Sequence, residues 1–433
     1  MRKRKRIVKR RVFLVIVLGV LVLEGISAII LKRPLLAWKF EDDTKIVYQG
    51  LFYDSYDCQL CDNKRAIFKF SGYQCPESNH EKRAKLTLVG DLLFEYPYYD
   101  DIDAGTSKDL YFNQVKAYFE NDDLSIANME VPIDNGNLEI SGEGYSFCAP
   151  RWVGDLVASL DFELLGTANN HANDRGVEGI DSTIDFFKNK SIMTVGTYKT
   201  KEDRKDFRIL NINDIRFGFL AYTYETNVDP EYEEEYRVGY YSDPHTYEVT
   251  DEYKEIMQEE ITQLRKECDV LIVMMHWGKE FTFEENDEQK DMAAFLNGLG
   301  VDLIVGSHSH NIQPIEMIGD KHKTLVYYSL GNFVSADEDL DRTYNDETFD
   351  NAYQVGMLST LEVVLKQDQV SFENIGCEMI VNYFDDNSRN WELIPLANYT
   401  KEKEQSHQRY DLGLTREFIQ NIYENVIDKQ YRK

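Results

Sequence analysis

"VDLIVGSHSHNIQPIE", residues 301–316, opens as a run of mostly β-branched apolar residues and then delivers His308 and His310 one residue apart. A pair so placed is either half of a metal site or two polar residues closing a strand. Local sequence does not separate the two readings, and what decides is whether other segments supply ligands to the same point. The chain has only eight histidines, so each can be weighed.

Outward from this stretch, short apolar runs alternate with helical patterns, as in an α/β fold. Strands are expected at 85–91, 123–130, 163–171, 270–278, 301–310 and 324–334, and more strands without intervening helices over 357–380. Helical spacing marks 109–121, 151–162, 176–190, 246–267, 287–300 and a final amphipathic stretch near the C-terminus. Asn213-Asp214 sits between two alternating runs at 208–224 and predicts a hairpin. The acidic runs 229–235 and 336–351 read as solvated loops, the second placed where a lid would lie.

Strand after strand then ends on a ligand-type residue. Asp91 follows "LTLVG", Asn128 and Glu130 follow "LSIA", and Asn169, Asn170 and His171 follow "LLGTA"; His276 follows "VLIVMM", and Asn332 follows "YYSLG". The carboxyl ends of strands form the ligand crevice of α/β sheets. A single strand-terminal Asp is usually a turn or helix cap, and Asn-Asn is usually turn chemistry. The conjunction points to a shared metal site, because four of the eight histidines fall at such ends. Imidazole, carboxylate and amide oxygen suit Zn, Mn or Fe, one ion or two, rather than Ca or Mg alone. Two close ions bridged by a carboxylate would activate water and clamp a phosphoryl oxygen; Glu130 is the candidate bridge.

The whole chain has 433 residues with 48 bases against 77 acids, a net charge of −29. Ten of those bases and one acid lie in residues 1–33, so the remainder carries −38. Such a surface repels polyanions unless cations intervene, which disfavours nucleic acid as a partner. Residues 2–11 hold eight Lys or Arg, and residues 12–31 form a twenty-residue apolar run broken only by Glu24. That length spans the roughly 30 Å hydrocarbon core of a bilayer as a transmembrane helix. The basic flank places the N-terminus in the cytoplasm and the main domain outside, as a single-pass protein of the cell membrane. A signal peptide cleaved after "ISA" (26–28) is the alternative; the long apolar run and Lys32-Arg33-Pro34 favour an anchor.

The expected organisation is a basic tail and anchor (1–33), a Cys-containing extracellular connector (34–83), the main domain (84–335), and an acidic loop, completing strands and helix of that same domain (336–433). Cys75 with Cys58 or Cys61 suits a disulfide, while the three with His80 would also suit zinc or remain thiols. Cys268 and Cys377 read as core residues.

The motifs "GDLLF" (90–94), "NMEVP" (128–132), "SFCAP" (146–150), "NNHANDRG" (169–176), "HWGKE" (276–280), "GSHSHNIQPIE" (306–316) and "YSLGNFV" (328–334) occur in the order of the CapA family. From about 84 to 335 the chain resembles that family, which is named for poly-γ-glutamate capsule synthesis and is itself similar to calcineurin-like metallophosphoesterases. The resemblance implies a four-layer α/β/β/α sandwich of the metallophosphoesterase type. It implies Asp91 as the first-strand ligand, Glu130 as the bridge, Asn170 as the amide ligand, and His276, His308 and His310 as later ligands. It also implies that His171 faces substrate as acid or oxyanion partner, and Asp174 is placed to orient it. One departure is visible: the phosphoesterase pattern opens Asp-x-His, and here Leu93 stands at the third position.

Two functions follow from the resemblance. One is an accessory protein of capsule or envelope polymer synthesis, holding an anionic polymer at a metal cleft and docking membrane partners. The other is an active metal-dependent phosphoesterase or hydrolase. In either case polymer binding would need cations or local patches; Arg151, Arg175 and Lys279 stand beside the motifs and read either as such patches or as ordinary surface charge.

Overall fold

The computed structural model describes residues 37–41, 45–49, 81–144, 146–336, 347–385 and 387–433. The chain divides into two compact units, residues 1–80 and 81–433. In the first, strands β1 (Ala37–Glu41) and β2 (Lys45–Gln49) pair antiparallel. The apolar run 12–31 and Cys58, Cys61, Cys75 and His80 lie outside the described residues. Among the described residues no helix is long and apolar enough to cross a membrane.

The second unit is a mixed α/β structure built on two sheets. One combines β3 (Lys82–Leu92), β4 (Leu124–Met129), β5 (Leu164–Gly166) and β6 (Met193–Val195) with β13 (Asn332–Val334), β14 (Val355–Lys366), β15 (Gln369–Tyr383) and β16 (Glu392–Pro395). Its order is β16-β15-β14-β3-β4-β5-β6, with β13 on β3. The other combines β7 (Arg208–Ile212), β8 (Ile215–Thr223), β9 (Val270–His276), β10 (Leu303–Ser307), β11 (Ile315–Ile318) and β12 (Thr324–Tyr327) in the order β11-β12-β10-β9-β8-β7.

Side-chain alternation along the strands sorts the core into clusters. Leu86 and Leu88 of β3 join Phe217 and Phe219 of β8 and Val270 and Ile272 of β9 in one apolar cluster drawn from both sheets. The alternate residues face outward. Ala127, Met129 and Leu165 pack with helix α1 (Arg151–Ala158) and with Phe186 and Phe187 of helix α2 (Gly176–Asn189). Leu271, Val273 and Met275 pack with helices α3 (Asp251–Leu264) and α4 (Asp287–Gly298). Strands buried on both faces read as the unbroken runs seen in the sequence.

The Asn213-Asp214 hairpin forms, with φ of 51° and 64° at the two turn residues. Four expectations are corrected, the first being the strand at 324–334, which divides into β12 of one sheet and β13 of the other. The helical pattern at 109–121 yields only a 3-10 turn, Lys108–Leu110, and a short helix, Lys116–Phe119. The reason is tertiary: the Tyr111 carbonyl accepts from the Leu393 amide at 2.9 Å rather than closing a helical turn. The strand at 163–171 ends at Gly166, and the one at 301–310 ends at Ser307. Asn170, His171, His308 and His310 therefore stand on loops beyond the strands. Cys148, Cys268 and Cys377 are buried free thiols.

Candidate metal centre

Parallel pairing brings the strand ends level. Asp91 of β3 is in register with Asn128 of β4 on one side and Asn332 of β13 on the other, while Ser307 of β10 pairs with His276 of β9. Close approach at Asp91 depends on glycine, since a Cβ at Gly90 would lie 1.9 Å from the Gly331 carbonyl oxygen. That carbonyl accepts the Asp91 amide at 3.0 Å.

His308 and His310 owe their direction to backbone conformation rather than to strand alternation. Their φ angles are +92° and +55°, in the left-handed half of the map that non-glycine residues rarely occupy. The Asp91 carboxylate accepts the His308 amide at 3.2 Å and fixes this turn against β3.

All six sequence-named ligand residues, Asp91, Glu130, Asn170, His276, His308 and His310, are buried and meet in one cluster. Ligand atoms of Asp91, Glu130 and His310 lie within 4.8 Å of one another. On the other side of Glu130, His276 Nε2 lies 2.8 Å from Asn170 Oδ1, 3.1 Å from His308 Nδ1 and 3.5 Å from Glu130 Oε1. Donor atoms around one tetrahedral ion at about 2.1 Å are separated by roughly 3.4 Å, close to the spacing of the second grouping, while the first is looser, with His310 Nδ1 3.8 Å from Asp91 Oδ2. Glu130 is common to the two.

The electrostatics fit cations. Among the described residues neither buried Glu130 carboxylate oxygen has an amide or hydroxyl donor; they face the Asp91 carboxyl and, at 3.5 Å from Oε1, His276 Nε2. Burial, then the neighbouring Asp91, pushes the Glu130 pKa well above the usual range. Asp91 is also raised by burial, against the opposing pull of His310 and of hydrogen bonds from Asn128 and the His308 amide. Burial and a charge on His308 would hold His276 far below an ordinary histidine, and burial with His310 brings His308 to about 3. Neutral imidazoles beside two buried, crowded carboxyl groups suit a divalent ion, which would supply the missing positive charge.

Outer partners set the imidazoles. His276 Nδ1 lies 2.9 Å from Ser307 Oγ, directing Nε2 at the cluster, and His310 Nδ1 lies 2.9 Å from Asn332 Oδ1. Asn128 donates to Asp91 at 2.8 Å, and Asn169 donates to Asn128 at 3.2 Å. Ser307 escapes a reading of the sequence, because a serine closing a strand carries no distinguishing signal. Leu93, where the Asp-x-His pattern has its histidine, is buried among the apolar side chains of α1 and β13.

His171 Nδ1 lies 2.7 Å from Asp174 Oδ2, and the Phe147 ring meets the imidazole edge-on at 4.6 Å. The same Asp174 oxygen accepts the Phe147 amide at 2.5 Å. Asn227 is a further neighbour that the sequence does not reveal: its amide nitrogen is 3.3 Å from His171 Nδ1, and its backbone N–H donates to the Asn170 carbonyl at 2.7 Å. No local signal marks it, because the contact spans a separation of 56 residues.

Fold and cluster together define a two-sheet α/β protein with a buried carboxylate and imidazole site suited to divalent metal. The family model described as "Bacterial capsule synthesis protein PGA_cap" matches residues 85–337, and the chain belongs to that family. It is similar to the PGA biosynthesis protein CapA of Bacillus subtilis, 27% identical over 57% of this chain and 62% of the relative. The Capsule biosynthesis protein CapA of Bacillus anthracis is 26% identical over 59% of this chain and 61% of its own length. The chain thus spans about six-tenths of the length of these curated relatives. Among solved structures, a hypothetical protein from Thermus thermophilus matches with TM-score 0.40 at 15% identity, over 67% of this chain and 97% of that one. A protein described as a novel phosphatase, from Mycoplasma pneumoniae, matches with TM-score 0.41 at 14% identity, over 70% and 95%.

Proposed function

We propose that this protein acts in the synthesis of a poly-γ-glutamate capsule, through a divalent metal centre of the metallophosphoesterase type, with one or two ions of Mn, Zn or Fe. The observation that carries the metal reading is Glu130: two buried carboxylate oxygens with no amide or hydroxyl donor among the described residues, crowded against Asp91 and beside imidazoles held neutral. The polymer reading is supported by family membership and by the names of the two curated relatives. A four-layer α/β/β/α arrangement is supported by the three core clusters. The membrane anchor and outward-facing domain are proposed from residues 2–31.

Asp91, Glu130 and His310 would hold one ion, and Glu130, Asn170, His276 and His308 the other. The first set has Leu93 where a further ligand would stand, so it is the weaker. A bound ion would polarise the bond under attack and lower the pKa of a water. The chain itself supplies orientation: with Nδ1–H donated to Asp174, His171 keeps Nε2 free to hold or pass a proton. Burial of the whole cluster excludes bulk water and strengthens these interactions.

The His171–Asp174 pair favours a second reading, an active metal-dependent hydrolase of a phosphoester or polymer bond. Metal content of the purified full-length chain, with and without Glu130→Gln, tests the centre. Hydrolysis of nitrophenyl phosphate mono- and diesters and of γ-linked glutamate oligomers, with and without His171→Ala, separates the readings. Metal without turnover on any of these favours the accessory role. A chain that stays metal-free after Mn and Zn addition removes the centre.

A further inference from the structure

A cavity of about 660 Å³ is lined by Tyr96, Glu139, Ser141, Glu143, Ser146 and Arg175, among others. None of these residues belongs to the metal cluster, and two of them neighbour the His171 site along the chain. Ser146 adjoins Phe147, whose ring touches His171, and Arg175 adjoins Asp174.

Among the described residues Arg175 is the only cation on this wall. Its Nε donates to the Glu139 carbonyl at 2.9 Å, and Nη1 donates to the Asp174 carbonyl at 2.9 Å and to Ser146 Oγ. These bonds fix the guanidinium plane without neutralising it, because every acceptor is uncharged. Among the described residues Arg175 forms no ion pair, although other arginines of this acidic chain do, including Arg83, Arg204 and Arg237. A guanidinium held in place on the wall of a cavity, with no acceptor for its Nη2 among the described residues, is built to receive an oxyanion.

Charge on the rim selects among oxyanions. Glu139 and Glu143 are exposed lining residues and penalise a compact, doubly charged group such as phosphate more than a single carboxylate. A chain of γ-linked glutamate spaces single carboxylates along neutral methylene and amide segments, and Tyr96 and Ile140 offer those segments an amphipathic wall. We propose that the Arg175 cavity is a subsite that binds a carboxylate of a γ-linked glutamyl chain. The inference rests on the polymer reading above, and it does not require the metal.

The test uses the full-length chain, titrated calorimetrically with a γ-linked glutamate pentamer and, separately, with inorganic phosphate, in EDTA. The pentamer should bind, and Arg175→Gln should weaken it by at least about tenfold, the loss of a charge-assisted hydrogen bond. Glu143→Gln should strengthen it by about threefold by removing a like charge, a gain that damage to the fold would not produce. The metal-induced rise in melting temperature should persist in both variants. Equal pentamer affinity in Arg175→Gln and parent, no pentamer binding to the parent, or phosphate binding as tightly as pentamer would each overturn the subsite. Failure of the metal centre shows separately, as a parent that gains no thermal stability from Mn or Zn.

Discussion

Replacing Glu130 by glutamine separates a ligand from a structural residue. The substitution keeps shape and removes the ability of a buried carboxyl group, with no amide or hydroxyl donor among the described residues, to ionise against a cation. An ion at a thousandfold its Kd stabilises the folded protein by about 4 kcal/mol. The folded unit has about 350 residues, and at ~2.1 cal/mol/K of unfolding entropy per residue that stabilisation raises Tm by about 6 °C. Glu130 touches both ligand groupings, so its loss should weaken binding on the order of 100-fold, at the upper end of the cost of losing an outer partner. The metal-induced rise then falls to about 2 °C. In EDTA the variant should melt no lower than the parent, because a neutral amide replaces a carboxylate that burial and Asp91 both disfavour as an anion. Differential scanning fluorimetry with Mn, Zn and EDTA reads all of this. A variant that melts several degrees lower in EDTA yet keeps the full metal-induced rise would refute the reasoning and make Glu130 a structural residue.

Ser307→Ala removes the partner of His276 Nδ1 and should lower metal affinity about 10- to 100-fold with little change of fold, checked by competition with a chelating dye. Gly90→Ala drives a Cβ into the Gly331 carbonyl and should cost more than about 3 kcal/mol in urea unfolding, because backbone rather than a side chain must move. His407 is buried, its Nε2 3.1 Å from the Asn382 carbonyl, and burial lowers its pKa to about 3. Because the folded pKa lies below the unfolded one, its contribution is present above about pH 6.5 and is lost as pH falls toward 3; between pH 7 and 5 the loss is about 2 kcal/mol. Stability measured at both pH values should converge for His407→Gln, and an unchanged acid slope would contradict this.

Most strands and long helices were legible because burial imposes a period: both-face burial gives the apolar runs at 270–276 and 303–307, and one-face burial gives the spacing of 176–189. The segment 109–121 carried a helical pattern that failed, since its apolar residues pack in the core while the Tyr111 carbonyl is taken by a strand almost three hundred residues away. The polar residues of the site could be noticed because each follows an apolar run, and the family resemblance singled out six of them as ligands. Ser307 and Asn227 could not, since their significance lies in contacts that have no sequence spacing.

What the sequence determined by itself was therefore which residues are available: two carboxylates, an amide and three imidazoles, each within or shortly after an apolar run that is buried as a strand. Tertiary structure decided how they meet. The positive φ at His308 and His310 turns both imidazoles off the strand path, the glycine at 90 lets β13 approach Asp91, and the register of β3, β4 and β13 sets the carboxylate and amide depths. Periodicity records burial, a local demand on each residue, whereas a coordination shell is a set of distances among residues that only the packed sheets bring together.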